Sequence, residues 1–192
     1  MPRITLASIV MITILTVLLA FFLQSYSSAA DKHQGLRAFA DMMQVLAHPR
    51  CMNCHQDRRP RIRDGRRVHI PRLNAGNNGF GVGGHRCSIC HRDDNTTLTR
   101  IPGVPGWRMP PYSMSWNGLE PGDICSNIKD KNMNGGRDLA DVLHHLEHDL
   151  LVVWAWAPGK ARQPAPFSHQ EFIARTKDWI SHGAPCPEIE SN

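Results

Sequence analysis

The sequence predicts a mainly α fold: a small domain of helices joined by long irregular loops, preceded by one N-terminal transmembrane or signal helix. Three observations carry that expectation. Ile4 to Leu23 is an unbroken run of 20 uncharged, mostly apolar residues. Three later stretches place apolar side chains at helical spacing. No stretch alternates polar and apolar residues long enough to read as a strand. The 162 residues from 31 to 192 suit one domain rather than two.

The apolar run comes first. At 1.5 Å per residue it reaches roughly 30 Å, the hydrocarbon thickness of a bilayer. It is long for a signal-peptide core, yet Ser28-Ala29-Ala30 also reads as a small-x-small cleavage site. Two readings stay open for residues 1–30: an uncleaved signal anchor or a removed export signal. Arg3 favours a cytoplasmic N-terminus, so both readings export residues 31–192. The expected location is the periplasmic side of the inner membrane, anchored by the helix, or the soluble periplasm if the segment is cleaved.

Next, Leu36, Phe39, Ala40, Met43, Leu46 and Ala47 form an amphipathic stripe that stops before Pro49. Residues 56–86 show no period, and Asn74–Gly84 holds five glycines and three asparagines, a loop composition. Residues 100–118 carry four prolines and three glycines around Trp107 and Trp116, so an extended segment is expected. Pro121 can open a short helix to about Asp130. Asp138 can cap a helix through Leu150, with Leu139, Val142, Leu143, Leu146 and Leu150 on one stripe. Ser168 to Glu171 is a capping-box sequence ahead of Phe172, Ile173, Thr176, Trp179 and Ile180, and Gly183 and Pro185 close that helix.

The charge balance could suggest nucleic acid, since 22 Lys+Arg against 17 Asp+Glu gives +5. Its distribution argues otherwise. Residues 50–72 hold eight arginines (50, 58, 59, 61, 63, 66, 67 and 72), whereas residues 120–192 hold eleven acids against seven bases. No zinc-finger or basic-aromatic RNA pattern accompanies the excess, so no nucleic-acid partner is expected.

Six cysteines fall at 51, 54, 87, 90, 125 and 186. Arg50-Cys51-Met52-Asn53-Cys54-His55-Gln56-Asp57 and Arg86-Cys87-Ser88-Ile89-Cys90-His91-Arg92-Asp93 both read R-C-x-x-C-H-x-D, offset by 36 residues. C-x-x-C-H is the haem c attachment signature. Two thiols three positions apart on a turn can each form a thioether to one porphyrin, and the adjacent His lies under the iron. A four-cysteine zinc site would span 32 residues between Cys54 and Cys87, longer than usual, and leave both histidines unexplained. Thioredoxin-like sites follow a strand that is not visible here, and simple disulfide loops need no His. The expectation is therefore two haem c groups, on Cys51/Cys54 and Cys87/Cys90, with His55 and His91 as proximal ligands. Both macrocycles then lie close together in one domain. Cys125 and Cys186 remain, and export makes a disulfide their expected fate.

A six-coordinate haem needs one more ligand, normally a Met sulfur or a His nitrogen. Candidates are Met109, Met114, Met133, His69, His85, His144, His145 and His148. Met114 follows Pro110-Pro111 in a rigid loop, and His69 lies between Val68 and Ile70. On the 139–150 helix, His145 lies about 120° from the centre of the leucine stripe, His144 about 140° and His148 about 180°. His145 is thus the least polar-facing of the three. The ranking is Met114 for one iron and His69 for the other, with His145 in reserve. Arginines of the 50–72 stretch can pair haem propionates, although a solvated basic face is the simpler reading for most of them.

Several segments recur together: His48-Pro49-Arg50 with the first motif, Arg86 to His91, Pro110-Pro111, Met114-Ser115-Trp116 and Asn134-Gly135-Gly136-Arg137. So do Leu151 to Gly159, with Trp154 and Trp156, and Gly183-Ala184-Pro185-Cys186-Pro187. In these segments the chain resembles the exported dihaem c-type cytochromes often labelled isoquinoline 1-oxidoreductase subunits, over most of residues 36–187. The resemblance implies a small dihaem cytochrome c domain over residues 31–192, an electron carrier working with a dehydrogenase or a membrane complex. By position it implies His69, Met114 and His145 as potential ligands. The long apolar N-terminus departs from that pattern. The expected function is electron transfer to redox partner proteins or a membrane electron-transfer complex, without catalysis of its own. Alternatives are a dihaem peroxidase-like enzyme, or a haem subunit of a larger respiratory or photosynthetic complex.

Overall fold

The computed structural model describes residues 6–57, 59–62, 67–160 and 162–189. Arg3, Ile4, Arg58, Arg63 and Arg66, which entered the reading of the anchor and the basic stretch, lie outside the described residues. The protein is mainly α, with six helices and two short ladders among the described residues.

Helix α1 runs unbroken from Leu6 to Leu46, 41 residues. The apolar run and the amphipathic stripe, separate in the sequence pattern, are one rod. The reason is local: residues 24–34 contain neither Gly nor Pro, so nothing interrupts the i→i−4 hydrogen bonds across the expected boundary at 30/31. Its N-terminal half is bare, with Leu15 68% and Phe22 70% exposed. By length and composition this half could cross a membrane or serve as a signal sequence. The C-terminal half is core: Phe39, Met42 and Val45 are fully buried.

Helix α6 (His169–Ser181) packs along that half of α1. Phe39 meets Trp179 with ring centroids 5.5 Å apart. Ser168 and Glu171 form the reciprocal capping box, Glu171 Oε2 accepting from Ser168 N at 2.8 Å and Ser168 Oγ from Glu171 N at 3.2 Å. Gly35 lets the chain end cross α1, because a Cβ there would stand 2.6 Å from the Pro185 ring. Helix α3 (Pro121–Lys129) adds Ile124, Cys125 and Ile128 to the core. The Cys125–Cys186 disulfide ties it to the C-terminal segment.

Helix α2 (Pro49–Met52) is one turn that opens on Pro49. Helix α4 is shorter than the stripe predicts, Leu139–His148 rather than through Leu150. Asp149 ends it by turning extended and capping the next turn, α5 (Leu150–Val153), where its Oδ1 accepts from Leu151 N at 2.9 Å. Leu150 consequently leaves the stripe and is 52% exposed. The loop reading of 56–86 also needs refinement. Strands β1 (Arg61–Ile62) and β2 (Arg67–Val68) pair antiparallel, as do β3 (Gly81–Val82) and β4 (His85–Arg86). Gly83-Gly84 supplies the two-residue turn of the second pair.

Candidate functional site

The two R-C-x-x-C-H-x-D copies adopt the same backbone turn. In the first, Cys54 N and His55 N both donate to Cys51 O, each at 3.1 Å. In the second, Cys90 N and His91 N donate to Cys87 O at 3.2 and 2.9 Å. Each motif histidine is then held in the same two ways. His55 Nδ1 donates to Met114 O at 2.8 Å, and His91 Nδ1 to Pro102 O at 2.7 Å. A carbonyl can only accept, so Nδ1 carries the hydrogen and Nε2 keeps the lone pair in the neutral ring. Each ring also stacks on an indole. His55 lies on Trp116 at 3.5 Å and 14°, and His91 on Trp107 at 4.4 Å and 3°. All four motif thiols are free rather than disulfide-bonded.

The first motif faces a cleft where α1, α2, α4, α5 and the 107–116 segment meet. Met42, Val45, Leu46 and Phe172 make its wall apolar, and Cys51, Cys54 and His55 open onto it, as does His145 of α4. Burial pushes the Cys51 thiol up to about 12, helped by the neighbouring Cys54, and Cys54 up to about 11. Both are therefore neutral thiols at neutral pH, costly to ionise for a zinc ion. Burial likewise lowers His55 to about 4, against the opposing hydrogen bond to Met114 and with the help of His145. His55 is a neutral imidazole under ordinary conditions.

Polar groups also enter this cleft. Arg50, Arg108 and Arg137 line it, and Arg50 is buried with its guanidinium 6.0 Å from the Trp154 ring centroid. The indole N–H groups of Trp116 and Trp156 are buried with no acceptor among the described residues. An acceptor-bearing, negatively charged group would satisfy both kinds of donor.

The second motif is open. Cys90 is exposed, Cys87 is partly buried, and Ile89 is 54% exposed. Burial raises the Cys87 thiol and lowers His91, the latter opposed by the Pro102 hydrogen bond and assisted by His69 and Arg162. The two sites adjoin. Trp107 lines the first cleft while stacking on His91, and it meets Trp154 edge-on at 5.1 Å.

The distal candidates separate clearly. Met114 is buried and lines the first cleft, but its own carbonyl is bonded to the back of the His55 ring. His145 lines the same cleft, with Nδ1 3.4 Å from Asp149 Oδ2. Asp149 is held by Arg108 at 2.6 Å and, through His145 first, lies well below the usual carboxylate range. His69 lies beside His91, centroids 5.9 Å apart, and its Nδ1 donates to Pro71 O at 3.0 Å. His144 and His148 are exposed and meet at 4.6 Å with rings tilted by 55°, whereas His145 is half-buried, as its smaller angle from the stripe predicts. His85 is exposed, while Met109 is buried and Met133 partly so.

Sequence reasoning missed Trp107 and Trp116 as imidazole platforms and Asp149 as the group that orients His145. The one available sign was two tryptophans inside the proline-rich 100–118 segment. Among the described residues, no three or more His, Cys, Asp or Glu side chains gather as a metal cluster. The sites are pairs of imidazoles beside pairs of thiols. No protein-family model, curated protein or solved structure matches the chain.

Proposed function

We propose that the protein is an exported dihaem c-type cytochrome that transfers electrons and catalyses no substrate turnover. The observation that carries this reading is the repeated clamp. Two C-x-x-C-H turns, 36 residues apart, each hold the histidine by Nδ1 to a carbonyl and by its face to an indole, leaving Nε2 for iron. The residues fit the group. Neutral thiols at Cys51 and Cys54 can add across a vinyl C=C, the thiol hydrogen passing to the other carbon, with no oxidant needed. Arg50, Arg108, Arg137 and the orphaned Trp116 and Trp156 N–H groups suit propionate carboxylates.

Bound haem supplies one-electron exchange at iron. The chain does the rest. Its apolar cleft wall excludes water from the first site, its tied-back imidazoles fix ligand orientation, and the open second motif gives a partner access. The adjacency of the sites through Trp107 suits passage between them. The bare half of α1 supports a membrane-proximal location, with residues from about 31 onward on the periplasmic side and a redox protein or membrane complex as partner.

A coulometric titration of the full-length protein tests this. Reversible uptake of two electrons per chain, with low-spin ferric spectra and no peroxide turnover, is expected. One high-spin resting haem with appreciable peroxidase turnover would support the enzyme reading instead.

A further inference from the structure

Resting on the dihaem reading, we propose that each iron is held between two imidazoles, His55 with His145 and His91 with His69, and that the Met114 sulfur is an axial ligand of neither. Three geometric facts lead there.

Met114 sits on the wrong side of its own histidine. Its carbonyl accepts from His55 Nδ1 at 2.8 Å, which roots the residue behind the ring. A distal sulfur must lie beyond Nε2 on the far side of the metal, about 2.0 Å for the nitrogen bond plus about 2.3 Å for the sulfur bond. A methionine side chain anchored behind the imidazole is too short to reach round to that position. At the second site the side chain beside His91 is His69.

His145 comes from a different element. It lines the cleft that Cys51, Cys54 and His55 share, and it does so from α4. The Asp149 carboxylate, itself locked by Arg108, faces His145 Nδ1 and so leaves the lone pair on Nε2. A carboxylate that holds the far nitrogen of the ring is the usual support of a ligating histidine.

At the second motif the pair is already spaced for a metal. Two imidazoles on opposite sides of one ion have ring centres about 6 Å apart, from two metal–nitrogen bonds of about 2.0 Å plus the ring radii. His69 and His91 stand at 5.9 Å, and both have Nδ1 tied to a proline carbonyl. The same tautomer thus occurs in all four rings. His169 behaves differently, using Nε2 on Leu146 O at 2.8 Å, and it carries no such role.

The test is the near-infrared magnetic circular dichroism and EPR of the oxidised full-length protein, with haem counted by pyridine haemochrome. Bis-imidazole signatures at both irons and no sulfur-to-iron charge-transfer band are expected. His145→Ala and His69→Ala should each turn one of the two haems high-spin, halving the low-spin signal while the count stays at two, and added imidazole should restore it. A thioether band in the wild-type protein overturns the proposal, and its loss in Met114→Leu would name the residue responsible. Retention of two low-spin haems in either histidine variant also overturns it. Should a variant fail to fold, the wild-type spectrum still decides. A count of zero haems refutes the dihaem reading itself, a separate result.

Discussion

Cys51–His55 and Cys87–His91 are the same motif in two different settings. The backbone turns superpose in hydrogen-bond pattern, and both histidines are clamped by a carbonyl and an indole. Beyond that they diverge. Arg50 and Gln56 are buried in the first copy, whereas the matching Arg86 and Arg92 are exposed in the second. The first lies against α1, α4 and α6, whereas the second lies in loops held by a two-residue ladder and by Asn95, which bonds Gly103 N, Trp154 Nε1 and Ala157 O. Local sequence thus sets the turn, and long-range packing sets the environment. The first site is part of the core, and the second is mounted on it.

Removing the thiols separates the two settings most sharply. On the dihaem proposal, Cys51→Ala with Cys54→Ala would leave the central cleft without its covalent filler, so a loss comparable with the whole marginal stability, about 5–15 kcal/mol, is expected. Cys87→Ala with Cys90→Ala should leave a folded domain carrying one haem. Far-UV circular dichroism and haem count on both variants check this, and equal damage from the two would erase the distinction.

Next in size is the disulfide, which ties α3 in the core to the C-terminal segment. Closing its 61-residue span is worth roughly 4 kcal/mol in the chain-entropy picture. Cys125→Ala with Cys186→Ala should therefore lower Tm by about 8–16 °C for a chain of this size. The haem spectra at room temperature should stay as they are. A Tm within a degree or two of the parent would show that the staple carries little of the fold.

Acid should tell on the haem-free chain. Burial lowers both motif histidines, His55 to about 4. Below the ordinary value of 6.5 the unfolded chain takes up protons that the folded rings refuse. This contribution to stability is therefore complete above 6.5 and is lost as pH drops toward about 4, where His55 itself protonates. Urea melts of the haem-free protein across that window, followed by far-UV circular dichroism, should show the loss. A midpoint unchanged between pH 7 and 4.5 would contradict it.

The smallest effect is electronic. Asp149→Asn removes the carboxylate facing His145 while keeping a cap for α5. A less basic His145 stabilises ferric iron less, so one midpoint potential should rise and the other stay put. Movement of both, or of neither, in a redox titration would detach Asp149 from the first site.

These contrasts also mark what the sequence could tell. Caps, stripes and the cysteine repeat are written in neighbouring residues, and Ser168–Glu171, Asp138 and the two turns follow from them. The fusion of the apolar run and the stripe into α1 has no mark in either period, although the lack of Gly and Pro between them permits it. The end of α4 at Asp149 joins a local cap on Leu151 N to a contact with Arg108, 41 positions away. The rigid loop that recommends Met114 as a ligand also presents its carbonyl to His55, across 59 residues of chain. No local spacing encodes that.

The most direct measurement is the intact mass of the full-length protein, taken together with its pyridine-haemochrome spectrum. Two covalently added haem masses per chain, with free thiols absent from Cys51, Cys54, Cys87 and Cys90, are expected. A chain whose four motif cysteines remain unmodified, or are held by zinc, would contradict the reading of both clamps.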